Sequence, residues 1–226
     1  MLGDQNITGK SDMGQKLSLD GKNLAIISSR ESIKSRYFPV PSIGLAVSRE
    51  DNLIGESWNN AQKLFRKRKS KLLTPYEFIE FLKEAESRDP RFFEEVASGN
   101  GVTYREELLD AKFKKTPDGL FVETHYFGPR GIILMKSDPL NLETLMKDRT
   151  SFSRKGPIYF YSWIKNPTPE GFPKSDVEKG DFFYWRPMPG QIARFVTGPN
   201  NYSGFGAGTF PSRKEDCMVA RESKLL

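Results

Sequence analysis

The sequence predicts an α+β fold, and three observations carry that prediction. Apolar residues recur at helical spacing between residues 57 and 98, short strand-like runs take over after residue 100, and those runs are joined by long connections rich in Pro and Gly. Helices gathered into one block of the chain and strands into another define α+β rather than alternating α/β. At 226 residues the chain suffices for one large domain with an ample core. That core has to be unusually aromatic, because 17 Phe, 8 Tyr and 3 Trp need largely dry surroundings.

Residues 1–16 are polar and contain Gly, so they read as a flexible arm, leaving residues 17–226 as the domain. The apolar tetrapeptide Leu24-Ala25-Ile26-Ile27 predicts a buried strand over residues 23–28. Pro39 and Pro41 forbid a helix over residues 36–47 and leave an extended segment that ends in a strand at 43–47. Over residues 57–72, Trp58, Ala61, Leu64, Phe65 and Leu72 recur at helix spacing while Lys63, Arg66, Lys67, Arg68, Lys69 and Lys71 fill the remainder, which predicts an amphipathic helix. Thr74-Pro75-Tyr76-Glu77 is a capping box with proline at the first helical position. It starts a second helix over residues 75–86, with Phe78, Ile79, Phe81 and Leu82 inward, and a third helix begins at Asp89-Pro90 and stops at Ser98-Gly99.

Beyond residue 100, runs at 108–113 and 120–127 flank Thr116-Pro117-Asp118-Gly119 and predict a β-hairpin. Further strands are expected at 132–135, 158–164, 182–186 and 191–197, with a helical turn capped by Asn141 over 141–147 and a closing strand over 218–222. Long ordered connections such as Asn166-Pro167-Thr168-Pro169-Glu170-Gly171-Phe172-Pro173 are uncommon in a domain unless they carry function.

Composition excludes several function classes. His125 and Cys217 are the sole histidine and cysteine, which rules out an internal disulfide and a cysteine-based zinc site, and no cofactor or metal is expected. No apolar run approaches the roughly 20 residues of a membrane span. Residues 1–16 lack the apolar segment of a secretory signal, so a soluble protein of a reducing compartment is the expectation. A net charge of +6 permits acidic partners without requiring them.

Catalytic signals are thin. Glu123 and His125 alternate onto one face of a strand, and a carboxylate beside a histidine can orient a general base, yet no Gly-x-Ser-x-Gly elbow or suitably placed cysteine accompanies them. Cys217 adjoins Asp216, whose charge raises rather than lowers a thiol pKa. Gly204-Phe205-Gly206-Ala207-Gly208 lacks the following helix that a dinucleotide loop needs, and Pro211 stands close behind it. Neither tripeptide of a calcium-dependent sugar site, Glu-Pro-Asn or Trp-Asn-Asp, occurs, and the nearest string, Trp58-Asn59-Asn60, lies in a predicted helix. An enzyme is therefore not expected. The run Arg66-Lys67-Arg68-Lys69-Ser70-Lys71 is able to grip phosphates, but it reads first as a solvated helix face balanced by Glu77, Glu80, Glu84, Glu86, Asp89, Glu94 and Glu95 of the next two helices.

The segment Gly198-Pro199-Asn200-Asn201-Tyr202-Ser203-Gly204-Phe205-Gly206-Ala207-Gly208 has the composition of evolved binding loops, in which Tyr supplies contact area and Ser, Gly and Asn adapt their hydrogen bonds. An ordinary polar loop between strands uses many of the same residues. Together with Asp181-Phe182-Phe183-Tyr184-Trp185-Arg186, Gln191-Ile192-Ala193-Arg194-Phe195 and Cys217-Met218-Val219-Ala220-Arg221-Glu222, it resembles the C-type-lectin-fold variable proteins of diversity-generating retroelements, found in phages, bacteria and archaeal viruses. The resemblance covers residues 158–226. In that family a reverse transcriptase diversifies adenine-containing codons, so Asn, Tyr, Ser, Thr, Asp and Arg accumulate in a variable region, here about residues 190–220.

The resemblance implies a single C-type-lectin-like domain, with an N-terminal strand and helices followed by short antiparallel strands and long loops. It further implies a ligand-binding surface formed by Tyr184, Trp185, Asn200, Asn201, Tyr202, Ser203, Phe205, Ser212 and Arg213. The implied partner is a protein ligand or cell-surface receptor, met from a virus particle or cell surface. Asn200, Asn201, Tyr202 and Phe205 are expected to be exposed and clustered with Tyr184 or Trp185. The competing reading is a nucleic-acid-binding protein that uses the basic helix over residues 57–72, and a hydrolase centred on Glu123 and His125 comes third.

Overall fold

Pro39 and Pro41 do exclude an α-helix over residues 37–48, but the chain between them and Ser48 folds back on itself. In the computed structural model, which describes residues 36–98, 104–150, 154–198, 202–207 and 218–226, strand β1 (Tyr37–Val40) turns through a short 3-10 helix (Pro41–Ile43) into β2 (Leu45–Ser48). The predicted single extended segment is thus an antiparallel pair, because Pro41 presets the turn. Arg36–Leu226 form one unit. The arm expected at residues 1–16 and the strand expected at 23–28 lie outside the described residues.

The helical block agrees with the sequence in number and order, less so in length. After β3 (Leu53–Ile54), helix α1 (Trp58–Lys67) is capped by Ser57, whose side chain accepts from the Asn60 N–H at 3.3 Å. It stops well short of residue 72. Lys69 adopts a left-handed φ of 54°, the Ser70 N–H donates back to the Phe65 carbonyl at 3.0 Å, and the chain continues as β4 (Lys71–Leu72). The capping box at Thr74 is present in both directions and starts α2 (Pro75–Arg88), followed by α3 (Pro90–Ser98).

The strands form two sheets. The smaller has the order β1-β2-β12-β4, with β12 (Glu222–Leu225) inserted antiparallel between β2 and β4. The larger is built on β5 (Arg105–Thr116) and runs β3-β11-β5-β9-β10-β8, where β8 is Phe183–Trp185, β9 Ile192–Gly198, β10 Tyr202–Ala207 and β11 Met218–Ala220. The predicted hairpin joins β5 to β6 (Gly119–Phe127), and β6 pairs with β7 (Ile133–Pro139). Pairing is antiparallel apart from β5 with β11 and β8 with β10. The architecture is α+β, with four helices and two mostly antiparallel sheets among the described residues.

Two predicted elements change type. Residues 158–164 were expected as a strand, but Phe160–Lys165 form helix α4. Phe160, Trp163 and Ile164 stand at i, i+3 and i+4 and turn inward together, whereas a strand would split them between two faces. Residues 141–147 are not helical: the Asn141 side chain accepts from the Glu143 N–H at 2.8 Å and holds a local turn. The closing strand expected at 218–222 is divided at Arg221 into β11 and β12, one in each sheet.

The core is aromatic as composition requires. Phe78 of α2 lies 5.0 Å from Phe195 of β9, and Trp163 of α4 stacks on Phe205 of β10 at 4.5 Å. A smaller cluster of Ala61, Phe65, Leu72, Leu108 and Ala220 packs beneath α1.

Candidate functional site

The sequence-predicted binding residues separate into three groups. Tyr184 and Phe205 are 0% exposed and belong to the core, so the expectation that they present themselves to a ligand is corrected. In β10 the side chain of Phe205 packs between Trp163 and Phe172, and the Tyr184 hydroxyl is spent donating to the Leu145 carbonyl at 2.8 Å. Trp185 is half-buried in β8, and Ser203 is half-buried in β10. Tyr202 opens β10, but its side chain, together with Asn200, Asn201, Ser212 and Arg213, lies outside the described residues.

The glycines of this segment have a packing reason. Strands β8 and β10 run parallel with Gly204 opposite Phe183 and Gly206 opposite Trp185. A Cβ on Gly206 would sit 2.1 Å from the Trp185 carbonyl oxygen, and one on Gly204 would sit 2.5 Å from the Trp185 ring. Gly206 also has φ of 155°. Glycine here admits close strand approach rather than loop adaptability.

A groove of about 690 Å³ opens where β9 ends and β10 begins. Gly198, the last residue of β9, and Ser203, the second of β10, line it together with α3, the start of α4 and Asp181-Phe182. Tyr159 and Tyr161 stand at this opening, 42% and 43% exposed, with their rings 5.9 Å apart. Phe160 between them packs at 5.1 Å against Phe182, so the two tyrosines are presented outward on a fixed base. Burial and then a hydrogen bond to Glu86 push the Tyr161 phenol above its ordinary value. Arg91, Glu94 and Glu95 of α3 place charge of both signs along the opposite wall. Reading 158–164 as a strand hid this pair, since the inward spacing of Phe160, Trp163 and Ile164 is what leaves Tyr159 and Tyr161 outside.

A second constellation lies under α1. The register of β5 against β9 jumps between Leu108 and Lys112, so Leu109, Asp110 and Ala111 stand opposite Ala193 alone. That bulge re-aims Asp110. Its Oδ1 accepts from His125 Nδ1 at 2.8 Å and from Gln62 Nε2 at 2.5 Å, while Oδ2 accepts from the His125 backbone N–H at 2.8 Å. The carboxylate that orients His125 is therefore Asp110 and not Glu123, which lies 3.6 Å from Lys114. His125 Nε2 meets the guanidinium of Arg66, which only donates, so Nε2 is the acceptor. Its ring nitrogens are both engaged.

The basic run is likewise divided by the fold. Lys71 is fully buried, with Nζ donating to the Leu72 carbonyl and paired with Glu77 of the capping box. Arg66 engages His125. Among the described residues, Lys63, Lys67, Arg68 and Lys69 form no salt bridge, and Glu80 pairs with Lys83, Glu84 with Arg88 and Asp89 with Arg49. The expected balancing of the run by the acidic helices is met at Lys71, through Glu77, while Glu80 and Glu84 pair within α2.

No family model matches the chain, and no curated protein or solved structure is significantly similar to it. Among the described residues there is no group of three or more metal-ligating side chains and no helix long and apolar enough to cross a membrane.

Proposed function

We propose that this is a non-enzymatic binding protein on a C-type-lectin-like scaffold, whose recognition surface is the groove at the β9–β10 turn and whose ligand is a protein or cell-surface receptor. The observation that carries the reading is the exposed pair Tyr159 and Tyr161 at the same opening as Gly198 and Ser203. Those two residues bracket the sequence Pro199-Asn200-Asn201-Tyr202. Tyrosines on a rigid base contribute contact area at little entropic cost, and Asn side chains such as those of this sequence supply adaptable hydrogen bonding. Arg91 and Glu94 across the groove give charge that discriminates between partners more than it adds affinity.

The division between core and surface within the C-terminal third also fits a diversified scaffold. Tyr184, Gly204, Phe205 and Gly206 hold β8, β9 and β10 together, and the family resemblance assigns diversification instead to Asn200, Asn201, Tyr202, Ser203, Ser212 and Arg213.

Sequencing many copies of the coding region from a population that carries it tests the reading. Adenine-directed replacements are expected at the codons of those six positions, with Tyr184, Gly204, Phe205 and Gly206 invariant, beside a reverse transcriptase and a near-identical template repeat. Uniform codons throughout residues 190–220, or replacements at Phe205 as frequent as at Asn201, would overturn it.

A further inference from the structure

The cavity beneath α1, about 440 Å³ and lined by Trp58, Gln62, Lys63, Arg66, Lys67 and Lys112 among others, is remote in sequence from the groove residues and plays no part in the binding function above. We infer that it is a binding site for a small phosphate monoester that also carries a hydroxyl or amino hydrogen-bond donor. Four cations contribute to its lining. Its lining holds one carboxylate, Glu123, which lies 3.6 Å from Lys114, and Asp110, which holds Gln62 and His125 from behind the lining, is fully buried and accepts at both oxygens. Excess positive charge therefore remains at the mouth.

Two details separate this site from a merely solvated basic face. The first is that Arg66 is held: Asp110 orients His125, and His125 Nε2 accepts from the Arg66 guanidinium, so one prong of the fork is pinned and the remaining donors are pre-set for a phosphate. The second is Gln62, only 4% exposed, whose Oε1 has no hydrogen-bond partner among the described residues. Its amide orientation is dictated from below, because only the NH₂ is able to donate to Asp110. An acceptor left unsatisfied at the lining of a cavity costs free energy until something donates to it. A ligand with phosphate toward Lys63, Arg66 and Lys67 and an O–H or N–H toward Gln62 satisfies both ends, and the half-buried Trp58 indole, fixed by its bond to the Leu109 carbonyl at 2.9 Å, offers a flat wall for what lies between.

His125 is the chain's only histidine, so its ring signals in an NMR spectrum are unambiguous and report on the floor of the cavity. Titration with glycerol 3-phosphate should move them saturably, and methyl phosphate, which lacks the donor, should bind roughly fivefold more weakly, as one uncompensated hydrogen bond predicts. Arg66→Met should weaken glycerol 3-phosphate binding about tenfold or more, and Lys63→Gln with Lys67→Gln similarly, in keeping with the loss of charge-assisted bonds. Arg66, Lys63 and Lys67 are exposed, so these variants keep the fold, which circular dichroism checks. The inference fails if millimolar glycerol 3-phosphate leaves the His125 signals unmoved, if methyl phosphate binds equally well, or if Arg66→Met changes nothing. It also fails if a single-stranded oligonucleotide binds here below micromolar with a salt slope near −0.7 per phosphate, which would make the face a polyanion track.

Discussion

Phe205 and Ser203 are two positions apart in one strand, and they illustrate how differently neighbouring residues of the C-terminal third are used. Phe205 fills the space between Trp163 and Phe172, so Phe205→Ala should cost about 3–5 kcal/mol in a denaturant titration. Ser203→Ala, at the groove, should stay within about 0.5 kcal/mol. In the same way Tyr159→Ala and Tyr161→Ala should leave the unfolding midpoint nearly unchanged while each weakens ligand binding by about 2 kcal/mol, which calorimetric titration against a bound partner measures. The identity of Phe205 gave no means of telling core from surface, since an aromatic beside Gly and Tyr is equally at home in a binding loop. Its partner strand β8 decides the matter, and that pairing is a tertiary fact.

At the scale of elements, legibility followed locality. The α2 start was readable because Thr74, Pro75 and Glu77 carry the whole mechanism within four residues. The β5–β6 hairpin was readable from its turn for the same reason. The α1 end was not, because the stop depends on Ser70 folding back to Phe65 and on Lys71 finding a buried place beside Glu77. Helix α4 was misread because alternating aromatics suit both periods, and only the packing of Phe160 against Phe182 and Phe195 selects one. The Asp110–His125–Arg66 relay was invisible for a further reason: it is assembled across a bulge and from a helix 59 positions away. One strand-level prediction follows from the close approach of β8 and β10. Gly206→Ala should destabilise the protein by more than the about 1 kcal/mol typical of a point substitution, since strain at φ of 155° adds to the overlap with the Trp185 carbonyl. Thermal unfolding of the variant checks it.

Across the whole molecule, a buried ionic network ties the two sheets together. Arg221, between β11 and β12, donates to Glu107 of β5 at 3.1 Å, to the Ser48 carbonyl of β2 at 2.6 Å and to Asp51 at 3.0 Å, and Arg105 bridges Asp51 and Glu107 from the other side. Burial pushes the Glu107 carboxyl up, but Arg221 and Arg105 outweigh it and hold the group below its ordinary 4.5. A carboxylate depressed in the folded state stabilises above its unfolded value, so this contribution is present above about pH 4.5 and lost as pH falls through the depressed value. Asp51, raised by burial more than the arginines lower it, works in the opposite sense and softens the loss. Glu107→Gln should therefore cost about 3–5 kcal/mol at neutral pH and flatten the acid limb of stability against pH, measured by denaturant titration across that range. At the alkaline end, the Tyr184 phenol is raised well above its ordinary 10.0 by burial and then Asp148, so stability present below pH 10 should decline as pH climbs further.

The division of the last strand between the sheets also bears on how the chain is made. Among the described residues β12 alone links β2 to β4 in the smaller sheet, and β11 stands between β3 and β5 in the larger, so residues 218–226 are needed to complete both. A ribosome delivers those residues after everything they must join. Until they emerge, β2 and β4 expose unpaired edges and the carboxylates of Glu107 and Asp51 wait without Arg221, which is a state that invites chaperones and proteases. Nascent chains arrested before residue 218 should be cut readily, and emergence of residues 218–226 should confer resistance in a single step.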